Sequence, residues 1–299
     1  DRQPERSCRN SEDQGVGNRM SDLLQEYQHF LAAKGTLATD QGFSVSAEEL
    51  NPLLKPHQRD VVQWAVRGGR RAIFAAFGLG KSIMQIETAR VLRPRIGGRF
   101  LQVAPLGIRQ EFIRDGKLDT DEFRRRADEL SLDYEQLRSE YSIDYRFVRS
   151  TAEVGGDGFY LTNYESVRDG KLDVSLFSAV SLDEASILRG FGGTKTFREL
   201  MRLFEGTSTY RFAATATPSP NEFIELLSYA AFLGIMDVGQ AKTRFFKRNS
   251  TKADELTLHP HKEREFWMWV SSWAVFLEKP SDLGYSDEGY ELPEMEVHW

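Results

Sequence analysis

RAIFAAFGLGKS at residues 71–82, running on as IMQIETARVL at 83–92, decides how the rest of the chain is read. An apolar run enters a glycine-bearing turn, and the turn opens into helical spacing, so the predicted order is strand, loop, helix. A side chain at Gly78 or Gly80 would keep backbone amides from closing around phosphate oxygens, and the helix that follows directs the positive end of its dipole toward them. Lys81 then reaches the terminal phosphates of a nucleoside triphosphate, and Ser82 holds magnesium through its hydroxyl. Gly78, Leu79, Gly80, Lys81 and Ser82 are the expected cradle for ATP and Mg2+. The pattern opens on Ala75 where a nucleotide loop generally has glycine, giving A-x-x-G-x-G-K-S. The bland alternative is a glycine turn beside an ordinary surface lysine.

Outward from this loop, across residues 51–236, short apolar runs alternate with helical periodicity, the signature of a mostly parallel sheet flanked by helices in an α/β domain. Strands are expected at 72–76, 100–104, 145–148, 159–162, 180–182 and 211–214. Residues 119–141 are strongly charged, with Phe123, Ala127, Leu130 and Leu137 in helical register. Arg124, Arg125 and Arg126 in that stretch either touch DNA or form a solvated helix face. The run AVSLDEAS at 179–186 ends an apolar strand in two acids. Nucleotide hydrolysis needs such a pair, one carboxylate to hold hydrated magnesium and one to orient the attacking water. Asp183 is the expected magnesium partner and Glu184 the catalytic base. Read alone, such a pair is more often a helix N-terminal charge pair.

The flanks differ in character. Residues 1–19 are polar and too poor in apolar side chains to offset ordering entropy, so a disordered leader is expected. Residues 20–50 form an N-terminal helical segment, in which Ser21 caps a helix carrying Leu23, Leu24, Tyr27, Phe30 and Leu31 on one face and ending at Gly35. Residues 237–299 are a basic and aromatic extension leading toward a second lobe, and the alternating ELPEMEVHW at 291–299 has the pattern of a strand. Hydrophobic residues make up 40% of the 299, enough for one large core with appendages. A net charge of −6 argues against coating nucleic acid by bulk electrostatics but leaves room for a local basic track. Cys8 is the one cysteine and the five histidines lack ligand spacing, which excludes an internal disulfide and a cysteine-rich zinc site. No run reaches the length of a membrane span and no leader pattern opens the chain, so no membrane partner and a cytoplasmic location are expected.

Taken with the acidic pair, the phosphate loop resembles the first RecA-like lobe of a superfamily-two helicase, in the Swi/Snf-like branch of DNA translocases. LKPHQRDVVQW at 54–64 is similar to the stretch with which that branch receives adenine, which implies Gln58 as a base-reading residue. LQVAPLGIRQEF at 101–112 resembles the family's strand and loop that touch the tracking DNA strand, through Pro105 and Leu106. YLTNYESV at 160–167 resembles the next DNA-side motif, through Thr162, Asn163, Tyr164 and Glu165. TATPSPNEFIEL at 215–226 matches Thr-x-Thr-Pro-x-x-Asn-x-x-x-Glu-Leu through Thr215, Thr217, Pro218, Asn221, Glu225 and Leu226. The resemblance gives Thr215 and Thr217 the coupling of ATP to DNA. It further implies sequence-independent contacts with duplex DNA and a second RecA-like lobe, in the same or a partner chain, that supplies an arginine finger. No Gln-x-x-Gly-Arg-x-x-Arg string is present here, so the isolated lobe is expected to bind ATP and hydrolyse it poorly. Three positions depart from the family: Ser186 in DEAS stands where His or Asp is common, Ala216 where glycine is usual, and FLEKPSD where paired arginines commonly precede the crossing strand.

Other candidates for nucleic-acid contact lie outside these motifs. AKTRFFKRNSTK at 241–252 gathers Lys242, Arg244, Lys247 and Arg248 around Phe245 and Phe246, either a phosphate track beside a stacking platform or a basic helix whose phenylalanines pack inward. The loop at 189–194 either offers amides to phosphate or serves as a connector. In EREFWMWVSSWAVF at 263–276, the spacing of Phe266, Trp269, Trp273 and Phe276 predicts a buried helical face rather than a base-stacking site. Two other functions fit the same phosphate loop: an RNA helicase lobe, and a nucleotide-switched protein-interaction module without motor activity.

Overall fold

The computed structural model describes residues 37–189, 195–206, 208–219, 222–248 and 256–290. The expected leader at 1–19, the helix begun by Ser21, most of the 189–194 loop, Asn221 and the strand at 291–299 lie outside the described residues.

Helix α1 (Pro56–Gly68) opens with proline in its first turn and closes on Gly69 in the left-handed conformation. It leads into β1 (Arg70–Ala75), the phosphate loop and α2 (Lys81–Ile96). Strand β2 (Arg99–Val103) is followed by three helices, α3 (Arg109–Gly116), α4 (Asp121–Glu129) and α5 (Tyr134–Tyr141). Thr120 and Asp133 cap the last two, accepting from the amides of Phe123 and Gln136. Strands β3 (Tyr145–Phe147) and β4 (Gly158–Thr162) precede α6 (Tyr164–Arg168), β5 (Ala179–Leu182), α7 (Lys195–Phe204) and β6 (Tyr210–Thr215). Helices α8 (Leu226–Phe232) and α9 (Val238–Phe245) lead to a short antiparallel hairpin, β7 (Phe246–Arg248) with β8 (Leu256–Leu258). Helix α10 (Glu263–Ser271) then delivers β9 (Ala274–Leu277).

Among the described residues, seven strands form one sheet in the order β3-β4-β2-β5-β6-β1-β9, and every pairing in it is parallel. The six strands expected from sequence are β1–β6. A parallel sheet covered on both faces favours strands apolar on both sides, and this is why most of these strands read as largely hydrophobic runs. Along β1, Ala72 and Phe74 join the core on one face, with Trp269 and Trp273, while Ile73 and Ala75 join the core on the other, with Val62 and Met84.

The seventh strand corrects the helical reading of 263–276. Ser271 and Ser272 return their hydroxyls to the carbonyls of Met268 and Trp269, at 3.0 and 2.6 Å, and the chain leaves helical geometry there. Ala274–Leu277 instead pairs with Ala72–Ala75, covering an edge of β1 that would otherwise be open. Phe266, Trp269 and Trp273 are buried as expected, but Phe276 belongs to β9 and is 42% exposed. The lobe's sheet therefore takes its last strand from the 237–299 segment.

Candidate nucleotide site

The predicted residues gather at one end of the sheet. The phosphate loop follows β1, Asp183 and Glu184 follow β5, and Thr215 ends β6, which lies between those two strands. All are C-terminal ends of parallel strands, where open α/β sheets form their crevice.

Gly78 and Gly80 have φ of 83° and 82°, a region that side chains other than glycine rarely adopt. A Cβ on Gly80 would also come within 2.4 Å of the Gln58 amide nitrogen. Lys81 begins α2 and folds back so that its ammonium donates to the carbonyls of Ala75 and Ala76, at 3.0 and 3.3 Å. Burial lowers its pKa, while the charges of Glu184 and Asp183 pull it the other way, which brings the lysine and both acids into one electrostatic neighbourhood. Ser82 is half-buried in the first turn of α2.

Asp183 is only 3% exposed and accepts from the side-chain amide of Gln85 at 2.6 Å. Gln85 is itself fixed: its carbonyl oxygen accepts from Gln102 on β2 at 3.0 Å and from Ser181 on β5 at 2.7 Å. This line of buried polar side chains ties the helix after the phosphate loop to the strand that carries the acids. The sequence contained a signal for it, since Gln102 and Ser181 interrupt apolar strands and a buried polar group requires a partner. Burial drives the Asp183 carboxyl up to about 6, opposed by the Gln85 hydrogen bond.

The sign of that shift gives a stability prediction. Between the ordinary carboxylate value near 4 and about 6, the folded chain holds a proton that the unfolded chain has released, so stability falls as pH rises through that window. Asp183→Asn keeps an oxygen for Gln85 and removes the charge. It is expected to raise the apparent melting temperature of the nucleotide-free chain by roughly 5 °C at pH 8, with a clearly smaller gain at pH 5. Thermal melts at the two pH values check this, and an equal or opposite difference would count against burial as the cause.

Glu184 has a φ of 48°, left-handed geometry unusual for glutamate, and its carboxylate accepts from the Thr215 hydroxyl at 3.3 Å. The same Thr215 oxygen accepts from the backbone amide of Thr217 at 3.2 Å. A continuous path therefore runs from Glu184 through Thr215 to the segment leaving β6. Asp183 is also held from behind, where Tyr164 donates its hydroxyl to the Asp183 carbonyl at 2.6 Å.

Gln58 lies beside the loop with its amide engaged at both ends. Its oxygen accepts from the Lys55 backbone amide at 3.0 Å, capping α1, and its nitrogen donates to the Leu79 carbonyl at 3.1 Å. It latches the start of α1 to the phosphate loop. Each end of the amide retains one further hydrogen-bonding position.

The candidate DNA side divides. Pro105 is half-buried, Leu106 is 50% exposed, and Asn163 is half-buried at the end of β4, next to β2. Thr162 and Tyr164 do not share that surface. Thr162 is 1% exposed and donates to the Val148 carbonyl at 2.7 Å, and Tyr164 points inward to Asp183, which corrects their reading as DNA-facing residues. In α9, Phe245 is fully buried and stacks on Trp269 at 5.1 Å, and Phe246 is buried against Phe266, so the inward-packing alternative holds and no stacking platform forms. Arg244 pairs with Glu265 at 2.7 Å, Lys242 is half-buried and Lys247 is exposed; the side chain of Arg248 lies outside the described residues. Arg124, Arg125 and Arg126 pair with Asp119 or Glu129 at 3.3–3.9 Å, which is the pattern of a salt-bridged helix face.

Among the described residues no cluster of three or more His, Cys, Asp or Glu side chains suits a metal ion, and no helix is long and apolar enough to cross a membrane. Magnesium that accompanies a nucleotide commonly takes one or two protein ligands and completes its shell with phosphates and water. Ser82 and Asp183 fit that kind of site.

No protein-family model matches the chain, and no curated protein matches it in sequence. Its fold is similar to the Sulfolobus solfataricus SWI2/SNF2 ATPase core solved in complex with dsDNA, with a TM-score of 0.54 and 17% identity over 78% of this chain and 46% of that one. The chain thus spans a little under half the length of that core. Two further structures align less well: the UvsW helicase from bacteriophage T4, at TM-score 0.40 and 12% identity over 71% of this chain and 65% of that one, and the Pyrococcus furiosus Hef helicase domain, at 0.44 and 13% over 67% and 42%. The fold is RecA-like, as the resemblance implies, with the parallel sheet flanked by helices that the alternation of strands and helices predicts.

Proposed function

We propose that this chain is the ATP-binding first lobe of a superfamily-two, Swi/Snf-like motor that uses Mg-ATP to move along double-stranded DNA. The observation that carries the reading is the convergence of Lys81, Asp183, Glu184 and Thr215 at the ends of three neighbouring strands, β1, β5 and β6. Gly78, Leu79 and Gly80 cradle the phosphates, Lys81 neutralises the terminal ones, Ser82 and Asp183 hold magnesium, and Glu184 orients the attacking water. The ion supplies Lewis-acid polarisation of the phosphates when it is bound. Lys81 exchanges its two carbonyl partners for phosphate oxygens. The Glu184–Thr215–Thr217 path reports the state of the acid to the segment leaving β6, where DNA contacts begin.

The choice of duplex DNA rests on the extended TATPSPNEFIEL motif. Pro105, Leu106 and Asn163 lie at the ends of the adjacent strands β2 and β4 and suit sequence-independent contact with one strand of a duplex. A second RecA-like lobe closes on this one and contributes the arginine that stabilises the transition state, an effect worth roughly 10³–10⁵ in rate in related hydrolases. In the protein joined to that lobe, duplex DNA is expected to raise ATP turnover about tenfold or more over equal masses of RNA. Greater stimulation by RNA would assign the lobe to an RNA helicase, and nucleotide binding without turnover on either polymer would make it a switch.

A further inference from the structure

A cavity of about 350 Å3 opens beside the phosphate loop. Lys55, Gln58, Gly78 and Gly80 line one side, and the far side is built from the segment between β2 and β3, with Asp115 of α3 and Phe123 and Arg126 of α4. Its size falls within the roughly 300–1,000 Å3 of small-ligand pockets. Because both glycines of the loop line this partly open cavity, a triphosphate seated on the loop amides would have the space beside it for the sugar that follows its phosphates.

Asp115 is out of place as a purely structural residue. Its side chain is 12% exposed, and among the described residues its ion-pair partner is Arg114, at 3.7 Å and itself 59% exposed. Burial, with the charge of Glu111 beside it, pushes the carboxyl up to about 6. Arg114 offsets part of that cost, and a largely buried carboxylate gains from any further hydrogen bond donated to it. Asp119 and Asp169 show the contrast, since both are partnered on the open surface.

We propose that Asp115 accepts hydrogen bonds from the ribose hydroxyls of the nucleotide held on the phosphate loop, so that the segment between β2 and β3 forms the sugar wall of the site. This rests on the nucleotide reading given above. A carboxylate is the acceptor of choice for a vicinal diol, because its two oxygens accept while it donates nothing. Phe123 and Arg126 line the same wall, Arg126 in a salt bridge with Glu129 at 3.3 Å.

The test compares ATP with 2′,3′-dideoxy-ATP, each with magnesium, by calorimetry on the 299-residue chain, with inorganic tripolyphosphate reporting on the phosphate loop alone. The wild-type chain is expected to bind ATP roughly tenfold or more tightly than the dideoxy nucleotide. Asp115→Ala brings ATP to the dideoxy level and leaves dideoxy-ATP and tripolyphosphate within about twofold of wild type. Asp115→Asn preserves side-chain volume should the alanine variant fold poorly, and is expected to cut the preference at least about threefold. Equal wild-type affinity for the two nucleotides, or a preference that survives both substitutions, overturns the sugar contact and leaves the nucleotide site standing. A wild-type chain that binds neither nucleotide overturns both.

Discussion

Lys81→Ala is expected to weaken binding of Mg-ATP to this chain by about a hundredfold to a thousandfold, as a charge-assisted contact to the terminal phosphates is lost from a half-buried site. The ammonium has no ion pair closer than 4 Å among those of the described residues; it is satisfied by the carbonyls of Ala75 and Ala76. A bound triphosphate offers charged acceptors in place of those neutral ones, so the exchange favours the nucleotide. The fold is expected to survive the change. Burial is the largest influence on the Lys81 pKa, and removing the side chain relieves it. Thermal melts within a few degrees of wild type would establish that, and titration with a fluorescent ATP analogue would measure the loss. If the variant bound within threefold of wild type while still folded, the loop would be a glycine turn with an incidental lysine and the motor reading would fall with it.

Much of the fold was legible because a doubly covered parallel sheet writes itself as unbroken apolar runs. Tyr160 and Leu161 are buried on opposite faces of β4, for example, so both successive positions favour large, mainly apolar side chains. The strand at Ala274–Leu277 was hidden for the converse reason. It follows Trp269 and Trp273, whose spacing also satisfies a helical period, and only pairing with β1 decides between the two. The phosphate loop and acids were legible as motifs, since backbone geometry at Gly78 and Gly80 admits few residue types. The machinery around them was less so. That Thr162 faces Val148, that Tyr164 faces Asp183 and that Asp115 borders the same cavity as Gly80 are consequences of which segments meet in space. A local pattern places each of these residues at a strand end or on a helix and is silent on its direction. Gln85, Gln102 and Ser181 fall between the two cases: each broke an apolar run visibly, but the shared partner became apparent only when α2, β2 and β5 were adjacent.

In the protein joined to the proposed second lobe, Glu184→Gln is expected to reduce DNA-stimulated ATP turnover by about a hundredfold to ten-thousandfold, the usual worth of a general base, with Mg-ATP affinity held within severalfold. The substitution is informative because of what it leaves in place. Glutamine has the same length, and its amide can still accept from the Thr215 hydroxyl that now meets the carboxylate at 3.3 Å, so the link onward to the Thr217 amide is preserved. Asp183 remains fixed by Gln85 and Tyr164, so the proposed magnesium partner is not disturbed. The left-handed backbone at residue 184 suits glutamine no better and no worse than glutamate, so the change isolates the charge. What disappears is the anion proposed to polarise the attacking water. Rapid-quench measurement of hydrolysis, set beside equilibrium binding of the same nucleotide, separates the two effects. Turnover that persisted at the wild-type rate would move the base elsewhere and leave Glu184 as a structural anchor for Thr215, whereas parallel loss of turnover and affinity would place Glu184 in the binding of magnesium.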